Sequence, residues 1–187
     1  MSRKEIRIAG FGGQGVILSG NIVGKAASIY DDGFAALTQS YGPESRGGSC
    51  RAEVVVSDKP VDYPYVVDPE VVIILSQEAY NEFGAKAPKG TLLIVDSDLV
   101  KVDPSRKPKP LSIPANRMAQ ELGRSVVANI IMLGFLAATS DIVSCEALKK
   151  AVRDSVPPGT EDFNMKAFES GYNYGIEHGR KIKNRNV

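Results

Sequence analysis

The sequence predicts an α/β fold, a single three-layer Rossmann-like domain over residues 1–187 with a largely parallel sheet and C-terminal packing helices. Three observations predict it. A short strand at residues 5–9 runs straight into Gly10-Phe11-Gly12-Gly13-Gln14-Gly15, and a helical pattern follows at once. Strand and helix patterns alternate through the first half of the chain, and helices follow. The run Val71-Val72-Ile73-Ile74-Leu75 is apolar on both faces, as a central strand covered on both sides must be.

The helix after the glycine turn is expected over 14–29, where Val16, Ile17, Ile22, Val23, Ala26 and Ala27 recur at helical spacing. A strand at 35–38 leads to a loop at 39–49 rich in glycine and charge. Residues 51–57 read as a strand in which Ala52, Val54 and Val56 alternate with Arg51, Glu53 and Val55. After the buried run come a short helix at 77–85, a second buried strand at 91–95 ending in Asp96, and a proline-rich surface connection at 103–110. A short strand at 111–113 and a helix start at 114–123 precede helices at 128–138, 145–155 and 162–178. Pro157-Pro158-Gly159 separates the last two.

Composition excludes several function classes. A formal net charge of +1, with scattered basic residues, gives no argument for nucleic acid. The basic cluster Arg180-Lys181-Ile182-Lys183-Asn184-Arg185 reads as a solvated end that complements a helix dipole. The strand begins within five residues of the N-terminus, so no signal peptide is expected, and the apolar stretch 126–139 is too short to span a bilayer. Two cysteines, Cys50 and Cys145, make neither a disulfide framework nor a four-thiolate centre. With His178 the only histidine, no histidine-based metal site or triad can form. A cytoplasmic chain that binds no metal and no membrane is expected.

Two loops carry the candidate site. Gly10, Gly12 and Gly15 match the spacing of the dinucleotide-binding fingerprint, which sets backbone N–H groups at a helix N-terminus where an anion is favoured. The fingerprint also requires an acidic residue at the end of the second strand. That strand ends in Gln39-Ser40, and Asp31 and Asp32 come too early. Gln14 has an amide suited to a carbonyl or ring nitrogen. In the second loop, Tyr41 stands just before Gly42-Pro43, and Glu44 and Arg46 stand between Gly42-Pro43 and Gly47-Gly48. Arg46 suits a bidentate carboxylate or phosphate contact, or a surface pair with Glu44. Asn129, in the apolar helix, needs hydrogen-bond partners, and structural satisfaction is the simpler reading; Gly134 permits close helix packing, and Asn164 serves a helix end. No paired carboxylates, activated nucleophile or general base is identifiable, so no catalytic residue is expected.

The two loops together resemble the gamma subunit of 2-oxoacid:ferredoxin (acceptor) oxidoreductases. The resemblance runs through Gly10-Phe11-Gly12-Gly13-Gln14-Gly15-Val16 and Thr38-Gln39-Ser40-Tyr41-Gly42-Pro43-Glu44-Ser45-Arg46-Gly47-Gly48. It continues through Ala52-Glu53-Val54-Val55-Val56-Ser57, Asn129-Ile130-Ile131-Met132-Leu133-Gly134 and Asn164-Met165-Lys166-Ala167-Phe168-Glu169-Ser170-Gly171-Tyr172.

The resemblance implies a complex in which thiamine diphosphate with Mg²⁺, iron–sulfur clusters and coenzyme A do the chemistry, none held by this chain alone. Alpha, beta and delta (ferredoxin-like) subunits are the implied partners, with ferredoxin or a flavodoxin-type protein as acceptor. The implied reaction interconverts a 2-oxoacid and coenzyme A with acyl-coenzyme A and CO₂; pyruvate and ketoisovalerate are family substrates, and 2-oxoglutarate is the expected one. Gly10, Gly12, Gly13, Gln14, Gly15, Ser45, Arg46, Gly47 and Gly48 are expected to help form the coenzyme A site, with Tyr41 and Glu44 at an interface. Alternatively both loops are inter-subunit contacts only. The competing functions are a free-standing NAD(P)-binding oxidoreductase and a non-catalytic assembly module.

Overall fold

The structure is a computed structural model that describes residues 3–42 and 48–183, with side chains through residue 178. Six strands form one mixed sheet: β1 (Lys4–Phe11), β2 (Phe34–Tyr41), β3 (Ser49–Ser57), β4 (Val71–Ile74), β5 (Leu92–Asp96) and β6 (Leu111–Ile113). Their order is β2-β3-β1-β4-β5-β6. The β1, β4, β5 and β6 pairings are parallel, whereas β3 runs antiparallel to both β1 and β2. The largely parallel sheet is as expected, with one antiparallel strand inserted beside β1. The insertion follows from chain length, since residues 42–48 suffice for a hairpin but not for the crossover that a parallel pair needs.

The helices are α1 (Val16–Lys25), continued by a wider turn at Ala26–Tyr30, and α2 (Gln77–Ala79), likewise continued at Tyr80–Gly84. Then come α3 (Ala115–Glu121), α4 (Ala128–Thr139), α5 (Cys145–Arg153) and α6 (Glu161–Lys183). Strand alternation divides the core. Ile6, Ile8, Ala52, Val54, Ile73 and Ile94 face α1 and the later helices, and Ala9, Val72, Ile74, Leu93 and Val95 face α2. Val100 and Val102 also pack on that second face, and residues 66–68 are tied to β1 beside it. Glu5 holds them by accepting from the Val67 and Asp68 N–H groups at 2.5 and 2.8 Å, and Arg7 donates to the Val66 carbonyl at 3.4 Å.

β2 and β3 reach further than expected, into the segment read as a loop at 39–49. Eight continuous cross-strand pairs, from Phe34↔Ser57 to Tyr41↔Cys50, hold Gln39, Ser40 and Tyr41 extended despite their polarity. Gly134 does permit close packing: a Cβ there would overlap the Phe168 carbonyl oxygen, and one on Gly171 would overlap that of Ile131. α4 and α6 therefore meet backbone to backbone. Asn164 acts at the start of α6, donating to the Thr160 carbonyl at 2.9 Å and to its hydroxyl at 3.1 Å.

Candidate functional site

The chain reverses its direction across the sheet between β1 and β4, and in open α/β sheets the crevice beyond such strand ends takes ligands. The glycine turn lies there. Gly13 and Gly15 take positive φ, 96° and 72°, and Gly15 caps α1. Only glycine enters this region without steric cost.

The two loops singled out in the sequence come together. Phe11 pairs with Ser49 and Gly10 with Cys50, and the Gly12 N–H donates to the Gly48 carbonyl at 2.9 Å. Gly10, Gly12, Gly13, Gln14, Gly15, Gly48 and Tyr41 thus share one end of the sheet. Pro43, Glu44, Ser45, Arg46 and Gly47 lie outside the described residues.

Gln14 is turned inward. Its Oε1 accepts from the Phe11 N–H at 2.6 Å, and its Nε2 donates to the Leu75 carbonyl at 2.8 Å. The amide bolts the exit of β1 to the exit of β4, so its principal hydrogen-bonding directions are occupied by backbone. Gly10 makes room for it, because a Cβ at residue 10 would stand 2.5 Å from Oε1 and 2.9 Å from the Leu75 Cβ. Asn129 plays the matching part at α1. It is 3% exposed, and its Nδ2 donates to the Gly15 carbonyl and the Ser19 hydroxyl, both at 3.3 Å. A Cβ on Gly15 would come within 2.5 Å of that nitrogen. The structural reading of Asn129 holds.

Two hollows flank the turn. One, of about 300 Å³, lies beyond β4 and β5 between Gly13, Gln14, Asp96 and Asn116, with the exposed Leu99 and Val126 at its rim. The other, of about 60 Å³, lies on the opposite face between Phe11, Ser40, Arg51, Glu82 and Phe83.

Asp96 and Arg51 are charged residues that sequence reasoning did not select for the site. Asp96 is fully buried, and burial raises its carboxyl above the ordinary value although the Asp98 and Asn116 N–H groups donate to it. Its signal was an acidic residue closing a buried strand. Arg51 stands 3.6 Å from Glu53, which also accepts from Arg7 at 2.6 Å, and the Phe83 ring lies 5.3 Å from its guanidinium carbon. Alternation in β3 could have placed it on the face opposite Ala52.

The arrangement does not support the dinucleotide reading. β3 separates β2 from β1, so the end of β2, where an acidic ribose partner would stand, is displaced from the glycine turn by a whole strand. Among the described residues no three His, Cys, Asp or Glu side chains converge on a metal position. Cys50, in β3, and Cys145, at the start of α5, are free thiols, and burial raises both. No described helix is long and apolar enough to cross a membrane.

Comparison with known proteins accords with this architecture. The family profile for pyruvate ferredoxin/flavodoxin oxidoreductase matches residues 5–174. The 2-oxoglutarate synthase subunit KorC of Methanocaldococcus jannaschii is 48% identical over 178 residues, covering 94% of this chain and 95% of that protein. The KorC subunit of Methanothermobacter thermautotrophicus is 48% identical over 185 residues, covering 95% and 98%. Among solved structures, the gamma subunit of a keto/oxoacid ferredoxin oxidoreductase from Geobacter sulfurreducens superposes with a TM-score of 0.83 at 41% identity, covering 95% of this chain and 98% of that one.

Proposed function

The chain belongs to the pyruvate ferredoxin/flavodoxin oxidoreductase family, and from that premise we propose that it is the gamma subunit of a 2-oxoglutarate-specific complex. The observation that carries the reading is the 48% identity to a 2-oxoglutarate synthase subunit along almost the whole of both chains. The proposed reaction converts 2-oxoglutarate and coenzyme A to succinyl-coenzyme A and CO₂, with two electrons passed singly to ferredoxin or a flavodoxin-type acceptor. Thiamine diphosphate with Mg²⁺ and the iron–sulfur clusters belong to alpha, beta and delta partners. The described residues offer no thiolate cluster and no converging carboxylates for them. A cytoplasmic location is part of the same proposal.

This chain's own contribution is to shape the coenzyme A site. Gly13 and Gly15 at the start of α1 offer an environment favourable to phosphate, and Arg46, just before Gly47-Gly48 in sequence, is the proposed charged contact. Gly10, Gly12 and Gln14 support that turn, Gly48 joins it through the Gly12 N–H, and Ser45 and Gly47, which precede Gly48 in sequence, belong to the same proposed site. Tyr41, 63% exposed at the end of β2, and Glu44 face a neighbouring subunit in this reading.

Anaerobic affinity purification from the native cells, followed by assay of the recovered complex with several 2-oxoacids, tests the proposal. Thiamine-binding and iron–sulfur subunits should co-purify, and 2-oxoglutarate should be the preferred substrate. Recovery of this chain alone would defeat it. Arg46→Ala should raise the KM for coenzyme A about tenfold with assembly intact, the loss of one charged hydrogen-bond partner. Lost assembly with unchanged coenzyme A kinetics would favour the purely inter-subunit role instead.

A further inference from the structure

The carbonyl of Gly15 receives more donors than helix formation needs. The Ser19 N–H donates to it at 2.9 Å, the first hydrogen bond of α1. The Ser19 hydroxyl donates to the same oxygen at 3.0 Å, and the Asn129 Nδ2 at 3.3 Å. Asn129 also donates to the Ser19 hydroxyl at 3.3 Å, so each side-chain proton in the cluster is directed toward Gly15. Ser19 and Asn129 are 2% and 3% exposed. Burying two polar side chains against a carbonyl the helix already satisfies adds little stability, because an apolar pair of the same shape packs as well.

What the cluster fixes is direction. Gly15, at φ 72°, is a residue whose backbone can swing, and the peptide that follows it swings with it. The Gly15 carbonyl and the Val16 N–H lie in one rigid peptide plane and point in opposite senses. Donors that hold the carbonyl therefore aim the Val16 N–H, the first donor of α1 that no helical turn can satisfy. Among the described residues the Val16 and Ile17 N–H groups meet no acceptor. Asn129 stands on α4, whose path is set by the backbone-to-backbone crossing with α6 at Gly134 and Gly171. The helix side of the turn is thus referred to that rigid pair, as Gln14 refers the strand side to β4. A carbonyl can only accept, so the Asn129 amide must present Nδ2 to Gly15. Its Oδ1 lies 3.1 Å from where a Cβ on Gly15 would stand and accepts from no described residue. A buried amide with a packing duty alone would have that oxygen paired.

We propose that Asn129 and Ser19 are positioning residues for coenzyme A: they hold the Gly15–Val16 peptide so that the Val16 N–H meets a phosphate oxygen. The inference rests on the coenzyme A site proposed above and adds two residues that lie outside both of its loops. Their effect passes through the backbone. A phosphate at the start of α1 gains from N–H groups already aimed at it, since none of its binding is then spent on ordering a glycine turn. Ser19 relays the restraint, because its hydroxyl accepts from Asn129 while donating to Gly15.

Steady-state kinetics of the purified complex, with Asn129→Leu and Ser19→Ala beside Arg46→Ala, test this. Leucine keeps the branched shape of asparagine and removes its donors. Asn129→Leu should raise the KM for coenzyme A about tenfold and Ser19→Ala about threefold, while kcat and the KM for 2-oxoglutarate change less than about twofold. Amide exchange supplies a readout independent of turnover. Coenzyme A added to the wild-type complex should slow exchange of the Val16 amide about tenfold, and slow it less in Ser19→Ala. An unchanged KM for coenzyme A in both variants, with Arg46→Ala still raising it, overturns the inference and leaves the coenzyme A site standing. An unchanged KM in all three defeats both readings. A parallel rise in the KM of both substrates marks general loosening of the subunit and also overturns it. Where Asn129→Leu fails to assemble, Ser19→Ala and the wild-type exchange decide: a Val16 amide indifferent to coenzyme A overturns the proposal.

Discussion

Replacement of Gln14 tests the central geometric finding. Its amide makes two hydrogen bonds to backbone, from Phe11 and to Leu75, across the gap between β1 and β4. A net contribution of roughly 0.5–1.5 kcal/mol per bond gives about 2 kcal/mol for Gln14→Ala, or a fall in Tm of about 4–8 °C for a chain of this length. The loss stays near that value because the 300 Å³ hollow, lined by both Gln14 and Leu75, lets water reach the freed carbonyl. Gln14→Glu gives the sharper test. A carboxylate still accepts from Phe11 but faces the Leu75 oxygen, whereas the protonated acid can donate to it. The introduced group therefore has a raised folded-state pKa, with its stabilisation present at low pH and lost as pH rises through that pKa. Urea unfolding of the three proteins between about pH 4 and pH 8 reads both effects. A loss under about 0.5 kcal/mol for Gln14→Ala, or a pH-independent difference between Gln14→Glu and the wild type, would refute the bridging role.

Other consequences follow from the same geometry. Gly134→Ala or Gly171→Ala drives a methyl into a facing carbonyl that cannot rotate away, so each should cost at least about 3 kcal/mol and lower the Tm by about 6–12 °C; ordinary melting curves would contradict the close crossing. Glu5 and Asp96 should show opposite pH slopes. Burial raises Glu5, but Arg3 and the Val67 and Asp68 N–H groups outweigh it, so its stabilisation is present above the usual 4.5 and is lost as pH falls through its lowered folded value. Burial holds Asp96 above its usual 3.8, so its stabilisation is fully present below that value and is lost as pH rises through the raised one. In urea titrations the wild-type advantage over Glu5→Gln should grow with pH, and that over Asp96→Asn should shrink; slopes of the same sign would contradict this assignment.

The elements were more legible than their arrangement. The apolar run at 71–75 and the alternation at 51–57 each specify a strand because burial on one or both faces leaves a direct trace in residue type. Strand order leaves no such trace, yet the hairpin between β2 and β3 was accessible from the length of residues 42–48 alone. Gly134 was legible as a close approach; its counterpart Gly171 was not, because nothing local pairs one helix residue with another 37 positions away. The site divides in the same way. Both loops were visible in the sequence, and their junction through Gly12 and Gly48 needed the tertiary fold.

Gln14 shows why the dinucleotide fingerprint misled. The spacing of Gly10, Gly12 and Gly15 is the one expected around a pyrophosphate, but two of these glycines have causes inside the protein. Gly10 clears space for the Gln14 amide, and Gly15 caps α1 against Asn129. Gly12 donates to Gly48 rather than outward. A turn that packs a strand exit against a helix start needs small residues at the same spacing whether or not a nucleotide lies over it, so the glycine pattern reports the turn. What distinguishes the two cases is the neighbouring strand. With β3 inserted, the end of β2 leaves the ligand crevice and becomes the far edge of the sheet, so the residues there are released from ribose recognition. An uncharged Gln39-Ser40-Tyr41 segment in place of a carboxylate is consistent with a strand relieved of that duty.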